Sequence, residues 1–256
     1  MATEKMGSRV IRSELMQDQE KFTRELFGSI AGRYDLMNSL MSLGRVRSWR
    51  RSAIERSGLG AGGFGLDVCC GTGMLALEMA RAVGRAGRVV GLDLSEAMLA
   101  VARKNLNGLA CKEKIRLIQG DALALPFEDH TFDGATVGWG LRNVPDILAA
   151  VREMARVVKP GGKVVSIDMG QPGLLGFKQL YWLCLGKVIP VMGAIWTGNR
   201  GAYTYLYESA RAFPHPRELA RLFSEAGLVE TQYHLLTGGV VAVVEGKSPN
   251  LPKGMI

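Results

Sequence analysis

The sequence has few residues that could bind a metal or form disulfides. Its 256 residues include four cysteines and three histidines. Cys69, Cys70, Cys111 and Cys184 show neither C-x-x-C spacing nor a paired pattern, so we expect buried thiols rather than zinc ligands or disulfides. This composition fits a reducing cytoplasm, and we predict no metal site.

The sequence also lacks a secretion signal, a periodic repeat, a low-complexity tract and a long linker. Residues 1–22 are charged and contain no apolar core, which predicts a frayed or helical extension. The length allows one large α/β domain with additions, and 47% hydrophobic residues suffice for a core. A formal net charge of +8 indicates attraction to an acidic partner, either nucleic acid or an anionic membrane surface.

The most informative pattern is FGLDVCCGTGML at residues 64–75. An apolar run ends at Asp67, Gly71-Thr72-Gly73 follows, and apolar residues then recur at helical spacing. This order predicts a strand, a glycine turn and a helix, where backbone N–H groups approach a nucleotide-like ligand. Because Ala76 completes a relaxed dinucleotide pattern, a nicotinamide or flavin cofactor is one alternative.

Two further strands are predicted to end at the same edge. Residues 88–93 end at Asp93, 20 residues after Gly73, where a carboxylate can accept hydrogen bonds from both ribose hydroxyls. A strand at residues 115–119 precedes Gly120-Asp121-Ala122. The ends of parallel strands meet at one edge, so these groups define a single crevice.

The rest of the chain completes a seven-stranded pattern. A fourth strand at residues 132–137 precedes Trp139, Arg142 and Asn143, and a helix leads through a Pro-Gly-Gly turn into a fifth strand at 163–168. Residues 229–236 and 239–245 predict an antiparallel pair. An antiparallel end is not the usual dinucleotide arrangement and favours an S-adenosylmethionine fold.

Two helical regions flank this core. Residues 20–49 predict two or three short helices, in which Tyr34, Asp35 and Asn38 stand out as polar groups among apolar neighbours. Residues 174–196 are apolar, but two lysines, a proline and three glycines argue against a membrane span, so helices over the active site are expected.

A basic cluster surrounds Trp49. Arg45, Arg47, Arg50 and Arg51 predict a solvated helix face, and contact with lipid phosphates or, as a weaker option, with RNA is the alternative.

Several segments resemble the class I S-adenosylmethionine-dependent methyltransferases, and within them the quinone C-methyltransferases that make menaquinone and ubiquinone. The similarity extends from about Phe27 to Lys247. It is carried by FGSIAGRYDLMNSLMSLGRVRSW (27–49), GLRNV (140–144), RVVKPGGKVVSIDMG (156–170), YESARAFP (207–214) and LTGGVVAVVEG (236–246).

The resemblance implies an α/β fold with a seven-stranded, mostly parallel Rossmann-like sheet and helices on both faces. It also implies an N-terminal helical cap and a helical insertion after strand five. We divide the chain into an N-terminal extension and lid (1–50), a cofactor-binding core (51–173), an apolar substrate cover (174–213) and a C-terminal helix with two strands (214–256).

The same resemblance implies S-adenosylmethionine as cofactor and methyl transfer to a ring carbon of a polyprenylated quinol. The family pattern assigns cofactor contacts to Thr72 and Asp93, with Asp121 and Ala122 beside the adenine. Our full set of expected cofactor residues is Asp67, Gly71, Thr72, Gly73, Asp93, Leu94, Asp121, Ala122 and Gly138.

We expect three residues to hold or polarise the quinol oxygen: Arg142, Asn143 and Tyr207. Arginine is a poor base at neutral pH, so orientation and anion stabilisation are its expected roles, and a salt bridge that fixes the loop is the alternative. None of the three histidines is positioned as a base. Substrate contacts are expected from Tyr34, Asn38, Trp139 and Tyr203.

The chain departs from the family pattern at four places: Val46, Met74, Gly138 and the pair Asp168-Met169. A non-catalytic, cofactor-binding family member is therefore an alternative, as is a benzoquinol acceptor. A nucleic-acid methyltransferase is disfavoured, because Gly-Trp-Gly-Leu-Arg-Asn stands where an amine-methylating enzyme carries Asn/Asp-Pro-Pro-aromatic. The expected setting is the cytoplasm, with transient contact at an anionic membrane and a homodimer as a further expectation.

Overall fold

The computed structural model describes residues 21–250, so the extension predicted at the extreme N-terminus lies outside the described residues. Seven strands form one sheet. They are β1 (Phe64–Val68), β2 (Arg88–Asp93), β3 (Ile115–Gln119), β4 (Phe132–Gly138), β5 (Val158–Met169), β6 (Val229–Leu236) and β7 (Val241–Lys247).

The helices precede, alternate with and follow these strands. They are α1 (21–30), α2 (Tyr34–Met41), α3 (Val46–Ser57), α4 (Met74–Ala82), α5 (Glu96–Leu106), α6 (Ile147–Val157), α7 (Leu175–Leu183), α8 (Ile189–Thr197), α9 (Arg200–Ala212) and α10 (Pro216–Glu225). A π-helical turn, Cys184–Val188, joins α7 to α8 without a break.

The sheet order is β3-β2-β1-β4-β5-β7-β6. Strand β7 pairs antiparallel with both β5 and β6, and the pairs among β1 to β5 are parallel. This confirms the predicted fold class: a mostly parallel sheet with an antiparallel end. The carboxyl ends of β1, β2, β3 and β4 lie at one edge, so the polar residues that follow them are brought together.

The fifth strand begins earlier than the sequence predicts. Val158 already pairs with Phe132, and the Pro-Gly-Gly segment forms an irregularity within β5 rather than a separate turn. Gly161 has φ +81°, a backbone conformation that glycine adopts without steric cost, so the chain bulges there and rejoins the ladder.

Both faces of the sheet are covered. Helices α3 and α4 pack on one face through a core that includes Ala53 and Met79, while α6 and α10 pack on the other around Met154 and Phe223. A Cβ at Gly65 would lie 2.4 Å from the sulfur of Met79, so glycine is required where α4 lies against β1. This close packing holds the start of α4 against the sheet edge.

A third apolar cluster lies outside the sheet. Buried residues of α1, α2, α8 and α9, with Leu185 from the π turn, pack together beyond the end of β5. The N-terminal cap and the helical insertion after strand five thus form one layer over the carboxyl edge. Within the described residues, Leu175–Trp196 has the length and composition of a membrane-crossing helix.

Candidate active site

A cleft of about 990 Å³ opens at the carboxyl ends of the first four strands. Seven of the nine residues expected to contact the cofactor line it: Gly71, Thr72, Asp93, Leu94, Asp121, Ala122 and Gly138. Their shared wall follows from the parallel topology, since each belongs to a segment that leaves the sheet at the same edge.

The glycine turn has the geometry of an anion- and nucleotide-binding loop. Gly71 and Gly73 have φ +54° and +79°, which L-residues rarely adopt, and Gly73 is the N-cap of α4. The Gly71 N–H donates to Asp93 Oδ2 at 2.7 Å, and the Ser95 N–H donates to Asp93 Oδ1 at 2.8 Å. Asp93 therefore ties the turn to the end of β2 while its carboxylate faces the cleft.

Two expected cofactor residues do not line the cleft. Asp67 is fully buried beneath the glycine turn, where Thr136 Oγ1 donates to its Oδ1 at 3.2 Å, and burial raises its pKa to about 7. Gly73 packs against Ala102 of α5. Neither residue lies in the wall of the cleft, because each supports the turn from behind, and their contact with the cofactor stays a prediction.

Asp35 connects the N-terminal helices to the glycine turn. Its Oδ1 accepts a hydrogen bond from Thr72 Oγ1 at 3.0 Å, and its Oδ2 accepts one from Asn105 Nδ2 at 3.1 Å. Asn105 also donates to the Thr72 carbonyl. These hydrogen bonds hold Asp35 and the start of α2 over the cleft, which is the position expected of a lid. Sequence reasoning missed Asn105, which has no local motif.

The basic cluster around Trp49 does not form one solvated face. Arg45, Arg47 and Arg51 are exposed, but Arg50 is buried and lines the cleft. Its guanidinium lies 3.6 Å from Asp35 Oδ1 and 5.9 Å from the centre of the Trp139 ring. The expectation fails for Arg50, because it projects from α3 towards the sheet edge.

A second, apolar cavity of about 1450 Å³ lies beside the cleft. Its walls come mainly from α1, α2, α7, α9 and the π turn. Four residues line both spaces: Phe27, Tyr34, Asn38 and Trp139. Tyr203 lines the apolar cavity, so all four residues expected to contact substrate lie at one of the two spaces or at their junction.

Arg142 and Asp168 form a buried ion pair in the wall of the apolar cavity. Arg142 Nη1 lies 2.5 Å from Asp168 Oδ1, and the side chains are 5% and 2% exposed. Burial lowers the pKa of Arg142, but the charge of Asp168, its hydrogen bond to Arg142 and the nearby Tyr34 together outweigh that effect, so the pKa is raised. Arg142 Nε is buried without a hydrogen-bond partner among the described residues.

Asn143 fixes the loop that separates the two spaces. Its Nδ2 donates to the Trp139 carbonyl at 3.1 Å, and its Oδ1 accepts from the Tyr205 hydroxyl at 3.2 Å. Trp139 has φ +54°, a left-handed conformation that is strained for a large side chain and that this hydrogen bond supports.

The structure corrects the position expected for Tyr207. Its hydroxyl accepts a hydrogen bond from Arg211 at 2.8 Å, its ring packs beside Trp182 and Gly186, and it lines neither space. Tyr205, two residues earlier on α9, faces the loop instead. Sequence reasoning missed Tyr205, because three closely spaced tyrosines on α9 do not reveal the phase of the helix.

Two departures from the family pattern line the cleft. Met74 adds a thioether to its wall. At Gly138, an added Cβ would lie 2.9 Å from Leu75 Cδ2, so glycine at this position is matched to the leucine opposite it. Neither substitution closes the cleft.

The described residues contain no group of three or more histidine, cysteine, aspartate or glutamate side chains arranged to hold a metal ion. Burial raises the pKa of the Cys69 and Cys70 thiols well above their ordinary value, so both remain protonated beside the cleft. His215 caps α10 by accepting from the Arg217 N–H, away from either space.

The fold and cleft define a class I S-adenosylmethionine-dependent methyltransferase. The left-handed glycines, the Asp93 carboxylate and the residues after β3 fit a nucleoside cofactor. Solved structures share the fold: a SAM-dependent methyltransferase from Aquifex aeolicus (TM-score 0.61, 18% identity, 84% of this chain and 97% of that one). A second, from Thermotoga maritima and described as a possible histamine N-methyltransferase, has TM-score 0.62 at 21% identity, covering 88% and 99%.

A family model places the chain more narrowly. Residues 15–247 match the ubiE/COQ5 methyltransferase family, and the chain belongs to that family. A demethylmenaquinone methyltransferase from Desulfitobacterium hafniense is 52% identical over 91% of this chain and 92% of the relative. Relatives of the same name from Bacillus cytotoxicus and Bacillus licheniformis are 43% and 44% identical, over 92% and 91% of this chain and 99% of each.

Proposed function

We propose that the protein transfers a methyl group from S-adenosylmethionine to a ring carbon of a polyprenylated quinol, with demethylmenaquinol as the acceptor. The observation that carries this proposal is the junction of the cofactor cleft with a large apolar cavity at Phe27, Tyr34, Asn38 and Trp139. The names of the relatives support the choice of acceptor.

The chemistry requires placement more than acid–base strength. When bound, S-adenosylmethionine supplies an electrophilic sulfonium methyl group. The residues at the junction hold an aromatic acceptor against the cleft and exclude water, which is the main catalytic demand for such a transfer. The net reaction replaces a ring hydrogen by methyl and releases one proton.

Arg142 acts on the acceptor oxygen as a cation. Because its pKa is raised beside Asp168, it stays protonated and cannot serve as a base near neutral pH. Its side chain is buried in the cavity wall, and there its positive charge stabilises the negative charge that develops on a quinol hydroxyl. Asn143 and Tyr205 position the same loop, and we include both in the site.

The apolar cavity is the proposed site for the first isoprenoid units. Aromatic and aliphatic side chains dominate its lining, which suits a ligand without hydrogen-bonding groups. A polyprenylated acceptor resides in lipid, so the proposal places the protein in the cytoplasm with transient contact at the inner face of the membrane. A homodimer remains part of the proposal, and sedimentation would measure it.

The test is incubation of purified protein with methyl-labelled S-adenosylmethionine and a short-tailed acceptor in reducing buffer with detergent. Demethylmenaquinol and the matching benzoquinol are compared, and products are weighed by mass spectrometry. One labelled methyl on the naphthoquinol ring supports the proposal. Transfer only to benzoquinol would change the acceptor, whereas cofactor binding without transfer to either would favour a non-catalytic role.

Arg142→Met is the informative variant in this assay, and Tyr207→Phe is its control. The first removes the cation from the cavity wall, and the second changes a hydroxyl that lines neither space. We expect turnover to fall by about 100-fold or more in Arg142→Met, the scale for losing one oxyanion donor, and to stay within about twofold in the control.

A further inference from the structure

A stripe of apolar side chains runs along the outer side of the helical segment from α7 to α8. Leu183 and Ile195 are 58% and 71% exposed although both are large hydrocarbons. The stripe consists of Phe177, Leu180, Leu183, Val188, Val191 and Ile195, all exposed to solvent. An apolar surface of this extent normally marks a binding face.

The π turn explains why these residues share one side of the helix. Successive members of the stripe lie three, three, five, three and four residues apart. Steps of three or four keep side chains on one face of an α-helix, but a step of five does not. The five-residue step falls across Cys184–Val188, where π-helical winding accommodates the extra residue and keeps the face aligned.

The apolar cavity opens onto this same face. Phe177 and Leu180 belong to the stripe and also line the cavity. Leu43, in the turn after α2, lines the cavity from the other side and is 88% exposed. The mouth of the cavity is therefore framed by hydrocarbon on both sides, and the surface continues into the interior without a polar rim at these residues.

The charge around the mouth has one sign. Neither residues 36–54 nor residues 169–207 contain an aspartate or glutamate, although the chain as a whole has 24 acidic residues. Exposed cations in the same segments are Arg45, Arg47, Arg51, Lys178, Lys187 and Arg200. Within these two segments the apolar face is bordered by cations alone, which makes it complementary to an anionic lipid surface.

The segment from α7 to α8 is suited to lie on the surface of a membrane and not to span it. Leu175–Trp196 has 22 residues, enough to span a bilayer by length, but Lys187 stands near its middle. A lysine at the bilayer centre costs roughly 3 kcal/mol. The opposite side of the same segment is held in the protein by buried Leu185 and Ile189, so one face alone is available to lipid.

We propose that the stripe and Leu43 form a docking face for an anionic bilayer, through which the isoprenoid acceptor passes sideways from lipid into the apolar cavity. The inference rests on the proposed function for the identity of the acceptor. The helix from α7 to α8 lies in the plane of the interface, with its cations at the headgroups. The ring of the acceptor then reaches the cofactor cleft while its tail remains in hydrocarbon.

The first test measures binding of the full chain to phosphatidylcholine vesicles with and without phosphatidylglycerol. Leu183→Gln/Ile195→Gln changes the stripe at two residues that line neither space. We expect it to bind vesicles at least about tenfold more weakly, because two partly exposed side chains no longer enter the interface. Leu109→Gln/Val229→Gln, at exposed apolar residues after α5 and at the start of β6, is the matched control and should bind as wild type.

A second pair of variants separates charge from hydrophobicity. Arg45→Gln/Arg47→Gln should weaken binding to anionic vesicles by about 30-fold, since each cation near such a surface contributes roughly 1 kcal/mol. Its binding to pure phosphatidylcholine should not change. Lys104→Gln/Arg116→Gln removes two exposed cations on α5 and β3 and should leave both unaffected.

Activity distinguishes this inference from the proposed function. With a short-tailed acceptor in detergent, the stripe variant should turn over like wild type. With a long-tailed acceptor in vesicles, the turnover of this variant should fall by about tenfold or more. Equal activity in vesicles, or equal vesicle binding, would overturn the docking face while leaving the reaction intact. If neither the wild type nor the variant methylates the short-tailed acceptor, the proposed function fails instead.

A second copy of the chain is the competing occupant, and sedimentation decides it. A wild-type dimer that becomes monomeric in Leu183→Gln/Ile195→Gln, with vesicle binding unchanged, would assign the stripe to self-association. A sedimentation coefficient that the substitutions do not change, together with weaker vesicle binding, supports the membrane.

Discussion

The two spaces at the carboxyl edge of the sheet are built in different ways. The cofactor cleft is lined by the segments that leave β1, β2, β3 and β4, so its shape follows from the parallel sheet and a glycine turn. The apolar cavity is lined mainly by helices outside the sheet. Under the proposed function, the parallel sheet and its turns bind the cofactor, and the added helices select the acceptor.

The spaces are also held by different interactions. Around the cleft, short hydrogen bonds join backbone N–H groups to the Asp93 carboxylate. Around the cavity, apolar packing dominates, and one buried ion pair, Arg142 with Asp168, stands in its wall. Substitutions should therefore affect one space without the other, except at the shared residues Phe27, Tyr34, Asn38 and Trp139.

The largest effect is expected at the ion pair. Arg142→Met leaves the Asp168 carboxylate buried without its partner and should lower the free energy of unfolding by about 3–5 kcal/mol, measured by urea denaturation. Arg142→Met/Asp168→Leu removes both charges and should recover most of that stability without recovering activity. A single variant as stable as the double would contradict this account of the cavity wall.

Cofactor affinity should respond most strongly to Asp93. Asp93→Ala removes the acceptor for the Gly71 N–H and a carboxylate that faces the cleft, so the cofactor Kd should rise by about 100-fold in calorimetry. The KM for a short-tailed acceptor should stay unchanged. Glu96→Ala, at an exposed ion pair with Arg103, is the control. A comparable loss of cofactor affinity in this variant would mean that the effect is not specific to Asp93.

Asp67, buried beneath the glycine turn, predicts a pH dependence of the stability of the protein. Its pKa is about 7 in the folded protein and about 3.9 in an unfolded chain. Because the folded state binds the extra proton between these values, the stability from this group is complete below about pH 4 and is lost as pH rises to about 7.

Comparison of wild type with Asp67→Asn isolates that term. The variant should gain stability over wild type by about 1.4 kcal/mol for each unit between roughly pH 5 and 7, and the difference should level off above that range. Urea unfolding at several pH values provides the measurement. A difference that does not vary with pH would mean that Asp67 is ionised throughout.

The smallest effect separates two tyrosines of α9. Tyr205→Phe removes the hydroxyl that donates to Asn143 and should lower kcat by roughly fivefold to tenfold, with cofactor Kd unchanged. Tyr207→Phe should alter neither quantity. If Tyr207→Phe alone slows turnover, the role predicted for it from the sequence holds despite its position outside both spaces.

Local signals predicted the cofactor side of this protein well. The strand before Asp67, the glycine turn and the acidic residues after β2 and β3 lie within short segments whose pattern indicates their structure directly. Parallel topology then requires those strand ends to meet, so the cleft could be inferred before any contact was known. The resemblance to quinone methyltransferases added the acceptor class.

The other side depended on helix phase. The sequence placed Arg50 on a solvated face, but the rotation of α3 buries it against Asp35 and Trp139. It named Tyr207, but the phase of α9 directs Tyr205 to Asn143. A shift of two residues turns a helical side chain through more than half a turn, so packing alone decides which tyrosine faces the site.

The sequence by itself determined the sheet and the glycine turn, because hydrophobic periodicity and glycine conformation are local properties, and its resemblance to a known family added the cofactor class. Only the tertiary structure decided which side chains meet: Asp35 with Thr72, Arg142 with Asp168, and the apolar stripe with the mouth of the cavity. Those pairs lie on elements far apart in the chain. Their contact depends on how the helices pack, a property of the whole fold that no single segment encodes.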